Sequence, residues 1–262
     1  MEIQVVTDPN EMKNVMPVVR SAWGMNNSDQ LIKDILCAFR FHGGLVMLAK
    51  DNNETIGIQF SFPGYKNGRR YLYSHMTGVL EGKKYGGVGR QLKEKQRQWA
   101  MENDYDLIAW TYDPLMNLNA TFNIHKLGAI SRTYLRDFYG EMEDTLNFGM
   151  PTDRFVAEWY VNKKEQARPK VSARTFSFEE VGNLDKSAIP DDLYLKIPDN
   201  YLEMKKRDPE KAMDQRLKSR NIFENLFSKG YIVSDFSKEL NAYFLEKKPE
   251  LGLSLGPNIF NH

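Results

Sequence analysis

The stretch Lys84-Tyr85-Gly86-Gly87-Val88-Gly89-Arg90 runs without a break into residues 91–101, which are rich in strong helix formers. Before it, residues 70–80 read as a long strand. Strand, glycine-rich turn and helix therefore follow in that order. Such a turn leaves the first N–H groups of the helix without intrahelical partners, at the end where the helix dipole favours negative charge. A pyrophosphate fits there, and glycine lets it approach the backbone closely. Taken alone, Gly87-x-Gly89 also fits a plain turn.

Working outward, residues 3–6 read as a strand. Asp8-Pro9 opens a helix whose apolar stripe is Met12, Val15, Met16, Val19 and Trp23. A second helix from Ser28 places Leu31, Ile35, Leu36, Phe39 and also Phe41 inward and stops at Gly43-Gly44. Residues 45–49 and 55–62 alternate as strands around a turn at 50–54, and 63–68 reads as a further turn before the strand at 70–80. Downstream, strands are expected at 106–111, 130–135 and 155–161, with a short helix over 117–126. Residues 162–171 read as a linker. Beyond it, a strand at 193–197 precedes a long helix opened by Asp208-Pro209, with Met213, Leu217, Phe223, Leu226 and Phe227 on one face. A hairpin over 231–236 and 241–246 follows. This helix–hairpin order echoes that of residues 44–60, as a partial repeat would.

Composition narrows the function. The 262 residues carry 36 Lys and Arg against 35 Asp and Glu, a formal charge of +1, which argues against a dedicated nucleic-acid binder. The single cysteine, Cys37, excludes an intramolecular disulfide and an all-cysteine metal site. The four histidines lack zinc-motif spacing, so no metal is expected. Neither a Gly-x-Ser-x-Gly elbow nor a phosphate loop ending in Gly-Lys-Ser/Thr is present. No apolar run reaches membrane-spanning length and no secretory core leads the chain, so a cytoplasmic protein without membrane contact is expected.

Two motifs in the right order carry a family resemblance. Lys84-x-x-Gly87-x-Gly89, with Val79 at the end of the preceding strand, resembles the acetyl-CoA signature of the GNAT superfamily of N-acetyltransferases. Asn117-Leu118-Asn119-Ala120 followed by Lys126-Leu127-Gly128-Ala129 resembles the second motif of that superfamily. The resemblance covers residues 1–161. Stretches 110–115, 151–154 and 230–235 also resemble a long bacterial and archaeal subgroup of predicted GNAT acetyltransferases, part of which is associated with N-acylation of amino acids.

The resemblance implies an α/β (α+β) GNAT fold over residues 1–161 with a mixed, mostly antiparallel sheet, then a smaller α+β domain over 172–262. It implies transfer of an acyl group, acetyl by preference, from acyl-CoA to a primary amine. The acceptor expected is a small molecule such as an amino acid, with a homodimer as a further expectation. Two rivals are a catalytically silent CoA-binding module and a protein-lysine acetyltransferase. Tyr85, Gly86, Gly87, Val88, Gly89 and Arg90, with Lys84, would hold the phosphates; Met76, Thr77, Gly78 and Val79 would line the pantetheine; Asn117, Asn119 and Asn123 would contact the cofactor.

His75 is placed by strand alternation on the face of Thr77 and Val79. The resemblance implies its role, since a histidine at the corresponding position of arylalkylamine N-acetyltransferases, members of this superfamily, is linked to proton removal, and an imidazole suits this near neutral pH. A strand histidine satisfied by hydrogen bonds reads equally well. Tyr73 is a substrate or packing residue. Ile124 occupies the position of the superfamily's thiolate-protonating tyrosine, so the alternatives are Tyr134 or Tyr112 from elsewhere, water, or no dedicated donor at all. Asp113 reads as a turn former before a substrate contact, and Arg154 as an ion pair with Asp153 or Glu158 before a carboxylate receptor. His125 is expected on an exposed helix face.

Overall fold

A computed structural model describes residues 1–23, 29–52, 54–80, 86–142, 149–162, 172–185, 188–247 and 255–261. Two compact units divide it. The first comprises residues 1–110 with 143–146 and 160–162; the second holds 111–142, 147–159 and 163–262. The division thus falls after Trp110, whereas the linker expected at 162–171 lies almost wholly outside the described residues.

The first unit holds β1 (Glu2–Val5), β2 (Leu45–Asp51), β3 (Glu54–Lys66), β4 (Arg69–Val79) and the greater part of β5 (Leu107–Tyr112), in that order. All neighbours pair antiparallel except β4 and β5, which run parallel. Alternation along β2 distributes its side chains to two cores. Val46 and Leu48, with Ile58 and Phe60 of β3, meet α1 (Met16–Trp23) and the 3-10 turns of Pro9–Val15 through Met12, Val15, Met16, Val18 and Val19. Leu36 of α2 (Asp29–Phe41) joins this core. Leu45, Met47, Ala49 and Ile56 point the other way, onto Val88 and Leu92 of α3 (Val88–Glu102).

Two glycines allow the elements to close up. A Cβ on Gly57 would stand 3.0 Å from Val88 and 3.1 Å from Leu92, so α3 lies directly on β3. A Cβ on Gly44 would lie 2.6 Å from the Phe39 carbonyl oxygen and 2.9 Å from that of Ser61, both backbone atoms that cannot swing aside. Gly44→Ala is therefore expected to lower stability by about 2 kcal/mol, the cost of overpacking, which urea unfolding would register as a lower midpoint at unchanged slope.

The turn expected over 63–68 is shorter than its composition suggests. Pro63, Gly64, Tyr65 and Lys66 all pair with β4, and the reversal is made by Asn67 (φ 49°) and Gly68 (φ 80°) alone. A two-residue Asn-Gly loop with both φ positive matches the twist of the flanking strands, so the ladder runs to its tip.

The second unit contains β6 (Ile130–Leu135), β7 (Arg154–Tyr160), β8 (Thr175–Phe176), β9 (Asp192–Lys196), β10 (Ile232–Ser237) and β11 (Ala242–Glu246), ordered β7-β6-β10-β11-β9-β8. Its helices are α4 (Asn117–Ala120), α5 (Phe178–Asn183), α6 (Tyr201–Arg207) and α7 (Pro209–Ser228), with a π-helical segment over Thr121–Lys126. Asp208 caps α7 by accepting the Lys211 N–H at 3.0 Å. The buried stripe of α7 is Ala212, Arg216, Ser219, Ile222, Phe223 and Leu226, while Leu217 is exposed. The inward place that hydrophobicity assigns to Leu217 thus belongs to its neighbour, an arginine.

Candidate functional site

The site is built where β4 gives way to α3. Gly87 caps α3 with φ +92°, in the left-handed region, and no side chain among the described residues accepts a hydrogen bond there. The first turn of a fifteen-residue helix thus presents N–H groups without a side-chain cap. Gly86 and Gly87 are exposed, and a Cβ at Gly86 would meet nothing within 4 Å. Backbone conformation, not packing, is therefore what calls for glycine at position 87. Val88 is buried against β3 and anchors the helix start; Gly89 is half-buried, and Arg90 is exposed with its Nε 3.9 Å from Glu94. Lys84 and Tyr85, expected to join the phosphate cradle, lie outside the described residues.

β4 itself is paired on one side only over part of its length. Its ladder with β5 consists of Leu72 opposite Ile108 and Tyr73 opposite Ala109; among the described residues, Ser74 and Met76 to Val79 pair with β3 alone. Met76, Thr77, Gly78 and Val79 lie on this one-sided stretch. Gly78 is pressed against α1: a Cβ there would be 2.5 Å from the Trp23 ring.

His75 departs from its expected place. Met76 pairs with Phe60 and Ser74 with Ser61, so His75 is the extra residue of a β-bulge. The bulge breaks the two-residue alternation that set His75 beside Thr77 and Val79. Its ring instead lies among those of Phe60 (centroids 5.9 Å apart), Phe62 (6.0 Å) and Tyr73 (6.1 Å), on the sheet face that packs against α1 and α2. The residue keeps solvent exposure, yet desolvation among these rings holds the imidazole pKa below its ordinary value. The bulge has no signal in the residue pattern.

A buried polar layer lies under α3, beyond anything the sequence motifs indicate. Lys93 donates to Ser74 Oγ at 3.1 Å and lies 3.7 Å from the centroid of the Trp110 ring. Gln96 donates to Ser61 Oγ at 2.5 Å, and Gln59 donates to the same oxygen. Burial holds the Lys93 ammonium well below the usual lysine range. The spacing Val88, Leu92, Lys93, Gln96 and Ala100 places these polar groups on the buried face of α3, and that periodicity is the signal that could have exposed them.

The remaining candidates lie in the second unit. Tyr134 donates its hydroxyl to Asp153 Oδ2 at 2.7 Å, and burial raises its pKa far above the ordinary phenol value. An O–H so held is a poor acid at neutral pH. Burial likewise raises Tyr112 out of range. Asp113 does act as the turn former: its Oδ1 accepts the Leu115 N–H at 2.9 Å, and its Oδ2 pairs with Arg216. Arg154 is buried and donates to the Asp153 carbonyl at 3.0 Å, with its guanidinium 5.4 Å from the Tyr139 ring centroid. Of the two carboxylates expected beside it, Asp153 pairs with Arg220 at 2.7 Å and Glu158 with Arg132 at 3.0 Å. Asn117 donates to the Asp199 carbonyl at 2.9 Å, Asn119 is exposed, and Asn123 is buried in the π-helical segment beside Ile124. His125, expected on an open face, instead faces Asp235 at 3.0 Å and is half-buried.

Known proteins offer a partial likeness. No family model matches the chain, and no curated protein matches it. Solved structures do align with it over part of its length. An aminoglycoside 6'-acetyltransferase type Ii is 14% identical over 63% of this chain and 99% of that one, with a TM-score of 0.49. A ribosomal-protein-alanine N-acetyltransferase from Brucella melitensis is 16% identical over 61% and 99%, with a TM-score of 0.49. A GNAT family acetyltransferase from Elizabethkingia anophelis with acetyl-CoA bound is 18% identical over 61% and 97%, with a TM-score of 0.42. Among the described residues no group of three or more His, Cys, Asp or Glu could hold a metal ion, and no helix is long and apolar enough to cross a membrane.

Proposed function

We propose that this chain is a GNAT-type N-acyltransferase that moves an acyl group from acyl-CoA to a primary amine on a small molecule. One observation carries the reading: the uncapped N-terminus of α3, opened by left-handed Gly87, follows the singly paired part of β4 with its bulged histidine. The residues present fit the cofactor. Gly86 and Gly87 leave the backbone bare where a diphosphate would sit, and the N–H groups of α3 supply donors. The flank of β4 from Met76 to Val79 offers main-chain groups along which an extended amide-bearing arm can run.

Acyl-CoA supplies an activated thioester; the chain supplies position and proton handling. The acceptor arrives as R–NH3+ and gives one proton to the His75 imidazole, which desolvation keeps neutral. The freed lone pair forms the C–N bond at the thioester carbonyl, and the C–S bond breaks. The nitrogen gives its second proton to solvent, and the thiolate leaves as free thiol after taking one from solvent or from the protonated imidazole. Amine and thioester become amide and thiol, with one proton released. With Ile124 buried and Tyr134 bound to Asp153, no phenol in the second unit is needed for this balance.

His75→Ala should lower kcat/KM by about 10²- to 10³-fold, the usual contribution of a positioned base, with CoA affinity kept. The pH dependence has a definite sign. A base must be unprotonated, so the wild-type rate falls on the acid side as pH drops through the lowered imidazole pKa, below 6.5. In His75→Ala that limb should vanish. Thiol release followed from mildly acidic to mildly basic pH checks both, and an unchanged acid limb in the variant would remove His75 from the reaction.

A further inference from the structure

The strand residues beside the His75 bulge are tied to α3. Ser74 precedes the extra residue and stands opposite Ser61 of β3, and both hydroxyls reach α3, on the sheet face away from the imidazole. Lys93 donates to Ser74 Oγ at 3.1 Å and Gln96 to Ser61 Oγ at 2.5 Å, both from the buried face of the helix. Gln59 of β3 donates to Ser61 Oγ as well. All five side chains are buried. The adjoining core on that side is apolar, with Leu45, Met47, Ala49 and Ile56 against Val88 and Leu92. Polar groups are thus gathered where the β3–β4 ladder is irregular.

Stability alone does not account for this layer. Gln59 and Gln96 each leave a side-chain oxygen buried with no hydrogen-bond partner among the described residues, and the Lys93 amine is withdrawn from water. Apolar side chains of similar size would fill the space without those costs. What the layer does is set the register. A ladder without the extra residue must turn part of β4 over, because side chains alternate between faces. With Met76 kept opposite Phe60, His75 would meet Ser61 and face α3, and Ser74 would turn away from Lys93. With Ser74 kept opposite Ser61, Met76 would leave the apolar core it shares with Phe60 and turn onto Gln59. Only the bulge leaves both serines on α3 with His75 and Met76 on the other face.

We propose that Lys93 is a positioning residue for His75: by holding Ser74 on the α3 face, with Gln96 holding Ser61, it fixes the bulge that presents the imidazole on the opposite face. The consequence for turnover rests on the acyltransfer reading above; the geometry does not. One helix then serves both halves of the reaction, since α3 opens at the phosphate cradle and further along sets the base.

The His75 ring protons, assigned in NMR spectra by their loss in His75→Ala, report the surroundings of the imidazole without any need for turnover. Lys93→Met keeps the length of the side chain and removes the donor. In it the His75 titration midpoint should move by about half a pH unit or more, because the ring changes its degree of burial. Ser74→Ala removes the other end of the bond and should give the same shift, and the double variant should add nothing to either. With acyl-CoA and an amine, kcat should fall about 10- to 100-fold in Lys93→Met, the loss expected of a displaced base, while coenzyme A affinity is kept. A circular-dichroism melt at or above that of the wild type, as when a buried amine gives way to an apolar chain, separates displacement from unfolding. Should Lys93→Met fail to fold, Ser74→Ala carries the same measurements. A His75 titration unmoved in the folded variants, or an unchanged kcat in them, would overturn the proposal. A moved titration in a protein that acylates no amine supports the positioning and counts against acyl transfer alone.

Discussion

Asp113→Asn should destabilise the protein by about 3–5 kcal/mol, the largest effect expected of any single substitution discussed. Arg216 is 1% exposed, and its guanidinium is held by the Asp113 carboxylate on one side while lying 4.9 Å from the Tyr201 ring centroid. Its Nε and Nη1 have no hydrogen-bond acceptor among the described residues, so the cation depends heavily on that one charge. Asparagine keeps an oxygen for the Leu115 N–H and so preserves the turn, but it removes the hydrogen-bonded negative charge and leaves the buried cation with only the more distant field of Asp153. Thermal unfolding should move down by about 10 °C. Replacing the arginine as well, in Asp113→Asn with Arg216→Met, should restore most of the loss, because an apolar side chain there needs no partner. Were the single variant to melt with the wild type, the pair would be contributing nothing and the cation would have another counter-charge.

Gly87→Val should weaken coenzyme A binding by about 100-fold, since two charge-assisted contacts at the start of α3 are worth roughly that much. A β-branched residue at φ +92° is strained by about 1–3 kcal/mol, and the backbone relieves this by turning its N–H groups away from the ligand. The space around Gly87 is open, with the Gln91 side chain 4.0 Å from where a Cβ would stand, so a loss of affinity could not be laid to crowding in the free protein. Isothermal titration with coenzyme A reads the effect directly. Affinity unchanged in Gly87→Val would show that the diphosphate is held elsewhere, and the acyltransfer reading would lose its main support.

Much of this architecture is legible in the residues, for local reasons. Asp208-Pro209 and Gly230 bracket α7 because capping and the left-handed C-terminal residue are chemistry of single residues and their neighbours. Alternation along β2 is legible over Leu45 to Ala49 because each face of the sheet meets its own core. The order strand, glycine turn, helix is likewise visible. The features that escape such a reading are set by partners distant in the chain. Arg216 replaces Leu217 on the inner face of α7 because Asp113, 103 residues away, neutralises it. Glu158 pairs with Arg132 and Asp153 with Arg220, partners 26 and 67 residues away in the chain.

The amino-acid sequence by itself determined that residues 86–90 would expose a bare helix start after a long strand, because glycine conformations and helix propensities act within a few residues. Only the tertiary structure decided which way His75 faces. A single extra residue in one strand of a ladder reverses the alternation, and whether a bulge forms depends on the register with β3, where Phe60 and Ser61 meet Met76 and Ser74. That register is a property of the pair of strands, so no reading of β4 alone could supply it.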